Sequence, residues 1–140
     1  MTAPSRILVK WKGERKFESA REGRPGILLD GDGNDAPSPP DALLAALASC
    51  VSVDVVDILA KRRTPVETFD VEVLGVRREE VPRRFTDITL NFTITGQGIE
   101  RVHVDRAIDL AVNKYCSVKD SLDPDLPVVW NLHLNGSTTV

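Results

Sequence analysis

Residues 38–63 read SPPDALLAALASCVSVDVVDILAKRR, with no charged residue between Asp41 and Asp54. Ser38 is placed to cap a helix that begins at about Pro39, and the basic residues at 61–63 suit its C-terminal end. A helix that is apolar on nearly every side is predicted to be buried on most of its circumference. Cys50 lies near its middle, either as inert filling of the core or as a reactive thiol.

The composition predicts a single globular domain over residues 1–140. Hydrophobic residues make up 41% of the chain and charged residues 28%, which is typical of soluble proteins. The net charge of −3 disfavours a role in nucleic-acid binding. The apolar window between the charges is shorter than the about 20 residues that span a membrane. With no signal pattern at the N-terminus, we expect a cytoplasmic protein that binds neither membrane nor nucleic acid.

Alternation of apolar residues and turn residues predicts strands on both sides of two helical blocks. The strands are expected at 7–11, 15–19, 27–29, 69–77, 88–95 and 128–134, and the later helices at 100–114 and just after Cys116. Grouped strands and helices of this kind indicate an α+β fold, with the first three strands in an antiparallel meander. Two cysteines with only two histidines form no zinc pattern, so no metal or cofactor is expected.

Cys50 and Cys116 are the two thiols of the chain and its candidate nucleophiles. A thiol of ordinary pKa, about 8.5, must be ionised to react. Cys50 lies in mid-helix with Asp54 one turn away, so its activation requires an arginine from elsewhere in the fold. Cys116 is better placed, since a helix that begins near Ser117 directs its N-terminal dipole at this thiol. Inert packing remains the alternative for both.

The helix at 38–63 and the segment Lys114–Val118 resemble the OsmC/Ohr family, most closely its OsmC-like subgroup with the helix pattern CxxxDVVxILxKxR. The resemblance covers essentially the whole chain. It implies an OsmC-like α+β fold with antiparallel sheets around a long buried central helix. It also implies an intertwined homodimer with its active sites at the subunit interface.

The resemblance further implies a thiol-dependent peroxidase of oxidative-stress defence that prefers organic hydroperoxides. Cys50 matches the peroxidatic cysteine, which becomes a sulfenic acid on attacking the peroxide. Cys116 matches the resolving cysteine, which condenses with that sulfenic acid to a disulfide. A cellular dithiol reductant then restores both thiols.

The activating groups of the family match this chain less closely. Well-studied members hold the thiolate with an arginine from an early strand, oriented by a glutamate. Arg15 is our choice for the arginine, with Arg21 and Arg24 as alternatives. Pro40 occupies the glutamate position, and Asp41, the next residue, matches the acidic position of the closer subgroup as a shorter aspartate. If this departure removes activation, the chain is a non-catalytic small-molecule-binding or redox-sensing dimer. A structural dimer with inert thiols is the third alternative.

Overall fold

A computed structural model describes residues 2–137, in two compact units that divide after Leu43. We call them unit 1 and unit 2. The elements are β1 (Leu8–Trp11), β2 (Lys16–Ala20), β3 (Ile27–Asp30), α1 (Pro39–Lys61), β4 (Thr68–Arg77), β5 (Phe85–Thr95), α2 (Arg101–Leu110), a π-helical turn (Ala111–Tyr115), α3 (Ser117–Asp120) and β6 (Val128–Leu134). This order confirms the α+β class. The organisation as a single domain stays a prediction.

Unit 1 is built on the predicted antiparallel meander. β2 lies between β1 and β3, so Phe17 pairs with Trp11 on one side and Leu29 on the other. Among residues 2–43, Asp30 is the only buried residue. Its carboxylate accepts backbone N–H bonds from residues 32, 34 and 35 at 2.9, 3.3 and 3.0 Å. These bonds, led by that of Asp35, lower the pKa of Asp30 and fix the loop after β3.

A capping box begins α1, and it confirms the predicted cap at Ser38. Ser38 Oγ accepts the backbone N–H of Asp41 at 3.2 Å, and Asp41 Oδ2 accepts the backbone N–H of Ser38 at 3.0 Å. Pro39 and Pro40 occupy the first turn, where no intrahelical N–H bond is lost. The reciprocal pair satisfies backbone donors that would otherwise be unpaired at the helix start.

The sheet of unit 2 has the order β4-β5-β6. β4 and β5 are antiparallel, whereas β5 and β6 are parallel, with Leu90 opposite Trp130. The expectation of purely antiparallel sheets is therefore wrong at β6. The reason is the connection: the chain passes through α2, the π-helical turn and α3 before β6, and a long crossover permits parallel pairing.

The core of unit 2 contains one face of α1. Leu47, Val51, Val55 and Leu59 recur at every fourth position and are fully buried. Val53, on another face of α1, is 60% exposed. The prediction of burial on most of the circumference is thus wrong for the single chain. By length and composition the helix is long enough to cross a membrane, but its buried face identifies it as a core helix.

The segment before Cys116 changes from α-helix to π-helix. Its predicted apolar stripe is buried, which confirms the helical face: Val104, Ile108, Ala111 and Val112. The α-helix ends at Leu110, and the backbone N–H of Cys116 bonds to the carbonyl of Ala111 at 2.9 Å, five residues earlier. π-helical turns of this kind are frequent at functional sites. Here the turn brings the chain to Cys116 immediately before α3.

Candidate active site

The two thiols of unit 2 come from distant parts of the sequence and share one site. Cys50 is half-buried in α1, Cys116 is buried immediately before α3, and both are free thiols. Cys50 Sγ lies 3.9 Å from Ser117 Oγ. The Cys116 side chain is also near enough to Cys50 to lower the pKa of the Cys50 thiol. The fold therefore brings together the two cysteines that the sequence singled out.

The Cys50 thiol has a pKa below its ordinary value. Burial is the largest influence and acts in the opposite direction, since it disfavours the charged thiolate. The backbone N–H of Val118 and the side chain of Cys116 outweigh it, together with the hydroxyl and backbone N–H of Ser117. Each stabilises negative charge on sulfur, so the start of α3 favours the nucleophilic form of Cys50.

The Cys116 thiol has a pKa above its ordinary value. Burial raises it most, and the neighbouring Cys50 sulfur raises it further. The backbone N–H of Lys119, 3.3 Å from Cys116 Sγ, acts in the opposite direction but is not sufficient. The directions of the two pKa shifts favour Cys50 as the thiolate, contrary to the dipole argument that favoured Cys116; the roles that the family resemblance implies for the two thiols stay a prediction. Ser117 and Val118, at the start of α3, lower the pKa of Cys50. Cys116 is more deeply buried, and burial raises the pKa of its thiol.

The sequence did not predict the contact between Ser117 and Cys50. The sequence placed Ser117 only at the start of a short helix, because nothing in the local pattern indicates which distant side chain Ser117 faces. The packing of α1 against α3 supplies that information. The one available signal was its position directly after Cys116 in the second cysteine-containing segment.

Arg15 and Asp41 lie in unit 1, where each has a local partner. Arg15 Nε lies 2.7 Å from Asp32 Oδ1, and its Nη2 donates to the carbonyl of Gly31 at 3.3 Å. The Asp41 carboxylate forms the capping box with Ser38. The alternatives Arg21 and Arg24 follow β2. A role for any of these residues towards Cys50 stays a prediction.

Unit 1 also contains an apolar pocket of about 530 Å³. Arg15 is its cationic lining residue, and the others are Val9, Glu14, Phe17, Leu29, Gly31 and Pro39. Such a lining suits an alkyl or aryl group carried by a polar head. Within residues 2–137, no group of three or more His, Cys, Asp or Glu side chains is arranged to hold a metal ion.

Comparison with known proteins agrees with the fold, and the region that matches includes both cysteine-containing segments. The sequence profile of the family described as OsmC-like protein matches residues 31–131. Protein YhfA of Escherichia coli K12 is 43% identical over 111 residues, which cover 79% of this chain and 83% of YhfA. Its name states no activity.

Solved structures extend this similarity to the three-dimensional fold. A hypothetical protein from Aquifex aeolicus VF5 is 26% identical with a TM-score of 0.81, over 96% of this chain and 99% of that one. The organic hydroperoxide resistance protein OhrB of Bacillus subtilis is 13% identical with a TM-score of 0.60, over 91% and 98%. At that identity OhrB supports the fold alone. The profile match and the identity with YhfA establish that the chain belongs to the OsmC-like protein family.

Proposed function

We propose that the protein is a thiol-dependent peroxidase that reduces organic hydroperoxides, with Cys50 as nucleophile and Cys116 as resolving thiol. The observation that carries the proposal is the asymmetry of the thiol pair. The pKa of Cys50 is lowered and that of Cys116 raised within one site. A thiolate beside a protonated thiol suits a reaction in which the two sulfurs act in succession.

In the first step the Cys50 thiolate attacks the terminal oxygen of the hydroperoxide. A sulfur–oxygen bond forms, the oxygen–oxygen bond breaks, and the alkoxide leaves with a proton from solvent as an alcohol. Sulfur is oxidised to a sulfenic acid and the peroxide is reduced. The N–H groups and hydroxyl at the start of α3 stabilise the negative charge that Cys50 carries before attack.

In the second step Cys116 loses its proton and attacks the sulfur of the Cys50 sulfenic acid. The disulfide forms as the sulfur–oxygen bond breaks, and the departing hydroxide takes up a proton to become water. A dithiol reductant then restores both thiols by exchange and is itself oxidised to a disulfide. A cytoplasmic location, which we also propose, is a compartment that keeps such thiols reduced.

We further propose that the working unit is a homodimer in which Arg15 supplies the positive charge next to Cys50. The support is the exposed apolar surface of each unit. Trp11 and Val9 in β1 are 63% and 62% exposed, and Val53 in α1 is 60% exposed. A second copy would cover these surfaces, and the apolar pocket that Arg15 lines would receive the organic group of the hydroperoxide.

Stopped-flow oxidation of the reduced protein tests the activity. Cumene hydroperoxide and hydrogen peroxide are mixed with the wild type, Cys50→Ser and Cys116→Ser, and the products are identified by mass spectrometry. We expect a Cys50–Cys116 disulfide in the wild type, faster with cumene hydroperoxide. Cys116→Ser should stop at a dimedone-trappable sulfenic acid, and Cys50→Ser should not react. Oxidation of the wild type no faster than that of an ordinary thiol would rule out a peroxidase.

Arg15→Ala and Arg15→Lys test the proposed cation. If the guanidinium stabilises the thiolate and the developing charge, Arg15→Ala should slow oxidation by about tenfold to a hundredfold, the effect of one or two charge-assisted hydrogen bonds. Arg15→Lys keeps the charge but not the planar fork, and should fall between. Arg24→Ala is the control from the same unit. A larger effect at Arg24 would transfer the role to it.

A second candidate, a non-catalytic binding or redox-sensing dimer, rests on one specific observation. The Asp41 carboxylate is engaged by the backbone N–H of Ser38, and Pro40 has no side-chain acceptor to orient an arginine. Slow oxidation of Cys50 together with retention of a small apolar ligand would favour this function over the peroxidase.

A further inference from the structure

Ser117 connects the two thiol-bearing segments. It is the first residue of α3, and its Oγ lies 3.9 Å from Cys50 Sγ in α1. Its neighbour Cys116 is the resolving thiol of the proposed reaction. The distance is within the range in which a hydroxyl and a sulfur share a hydrogen, and either group can be the donor while Cys50 is protonated.

The backbone of Ser117 is held from both sides. In front of it, Cys116 Sγ accepts the backbone N–H of Lys119 at 3.3 Å and so caps α3. Behind it, the carbonyl of Ser117 accepts the Ser121 hydroxyl at 2.8 Å and the Ser121 backbone N–H at 3.1 Å. With the backbone anchored, the hydroxyl position depends on a single side-chain torsion.

Ionisation of Cys50 decides which group donates the hydrogen bond between Cys50 and Ser117. A thiolate has no proton to give, so the Ser117 hydroxyl becomes the donor. Hydrogen bonds to an ionised partner are shorter and stronger than neutral ones, so this bond favours the thiolate over the thiol. The Ser117 hydroxyl therefore stabilises the thiolate of Cys50 more than it stabilises the protonated thiol.

We propose that Ser117 is a positioning residue for Cys50, whose hydroxyl donates to the Cys50 sulfur and holds it ionised and oriented opposite Cys116. The role rests on the proposed use of Cys50 as a nucleophile. The hydrogen bond itself can be tested without any peroxide, so the two ideas can fail separately.

The test measures the pH dependence of Cys50 alkylation by iodoacetamide. Cys116 is the titratable side chain that acts on Cys50, so Cys116→Ser is introduced in every arm and Cys50 remains the single thiol of the chain. We expect Ser117→Ala to move the midpoint upward by about half a unit to one unit, the value of one hydrogen bond. Below the midpoint, alkylation should then be about threefold to tenfold slower.

Two further variants separate a hydrogen bond from a loosened turn. Ser117→Thr keeps the hydroxyl and should restore the midpoint of the parent. Ser121→Ala removes a different hydroxyl that stabilises the same turn, and should leave the midpoint unchanged. The proposal would be overturned if Ser117→Ala left the alkylation midpoint unchanged, or if Ser121→Ala moved it as far as Ser117→Ala does. It would also be overturned if Ser117→Thr failed to restore the midpoint of the parent.

The peroxide arm reports on the proposed function separately. With cumene hydroperoxide, Ser117→Ala should react more slowly than its parent below the alkylation midpoint. Well above the midpoint the two should react equally fast, because Cys50 is ionised in both proteins. If the parent itself does not react, the peroxidase fails while the alkylation result still decides the role of Ser117. A peroxide defect that persists at high pH, with an unshifted alkylation midpoint, would contradict that role.

Discussion

Unit 1 and unit 2 differ in how far their apolar side chains are buried. Unit 2 buries a continuous core between α1, its sheet and α2. Unit 1 has short strands, one buried residue among residues 2–43, Asp30, and exposed aromatic side chains at Trp11 and Phe17. Three short strands without a covered apolar face are marginal on their own. Unit 2 therefore has an apolar core of its own and holds both thiols, whereas the apolar side chains of unit 1 stay exposed.

The largest expected effect is on the core of unit 2. Val55 is fully buried and Val53 is 60% exposed on the same helix, so their alanine substitutions form a matched pair. Val55→Ala should lower the free energy of unfolding by about 2–3 kcal/mol, from lost apolar burial and a residual cavity. Val53→Ala should cost less than about 0.5 kcal/mol in the monomer. Urea unfolding measures both, and equal costs would contradict the burial described here.

The next effect concerns the exposed face of unit 1. Val9 alternates with Lys10 along β1, so the two side chains lie on opposite faces of the sheet. Val9→Glu should raise the dissociation constant of the proposed homodimer by at least about tenfold, because a charge replaces an apolar contact. Lys10→Ala is the control and should leave it unchanged. Sedimentation equilibrium gives the constants, and a wild type that stays monomeric would refute the dimer.

A pH-dependent effect is expected at Asp30, the one buried residue among residues 2–43. The folded-state pKa of Asp30 is lowered, so its ionised form stabilises the fold above the ordinary aspartate pKa of about 4. That stabilisation is lost as the pH falls through the folded-state pKa. Asp30→Asn should therefore lower the urea midpoint at pH 7 and differ less from the wild type as the solution is acidified. A constant difference between pH 7 and pH 3 would contradict this explanation.

The smallest effect is expected at the cap of α3. Cys116 Sγ accepts the backbone N–H of Lys119, and a serine oxygen can do the same. Cys116→Ala should therefore be about 1 kcal/mol less stable than Cys116→Ser. Urea unfolding under reducing conditions compares the two variants directly. Equal stabilities would mean that the thiol fills space without capping the turn.

Local patterns in the sequence predicted most of the secondary structure. The helix expected from Pro39 to about Arg62 runs to Lys61, and Ser38 caps it as predicted. These features depend on residues within a turn of one another, so the sequence alone contains the necessary information. The parallel pairing of β6 with β5 was not predicted, because it depends on how a long connection crosses the sheet.

The sequence predicted which two cysteines form the candidate site, but the residues next to Cys116 did not indicate which thiol has the lowered pKa. Cys50 and Cys116 were identified from the sequence, and the family resemblance implied Cys50 as the nucleophile, whereas the dipole argument alone favoured Cys116, contrary to the direction of the two pKa shifts. The dipole argument considered α3 and Cys116 as neighbours in sequence. In the fold, the N–H groups of Ser117 and Val118 act on Cys50, which no local pattern indicates.

The sequence by itself determined the apolar helix, its cap and the two cysteine-containing segments, and with them the family. Short-range backbone preferences and apolar periodicity suffice for these features. Only the tertiary structure decided which sulfur ionises and that Ser117 faces Cys50. A thiol pKa depends on burial and on donors within a few ångströms, and the donors to Cys50 lie in a turn far along the chain.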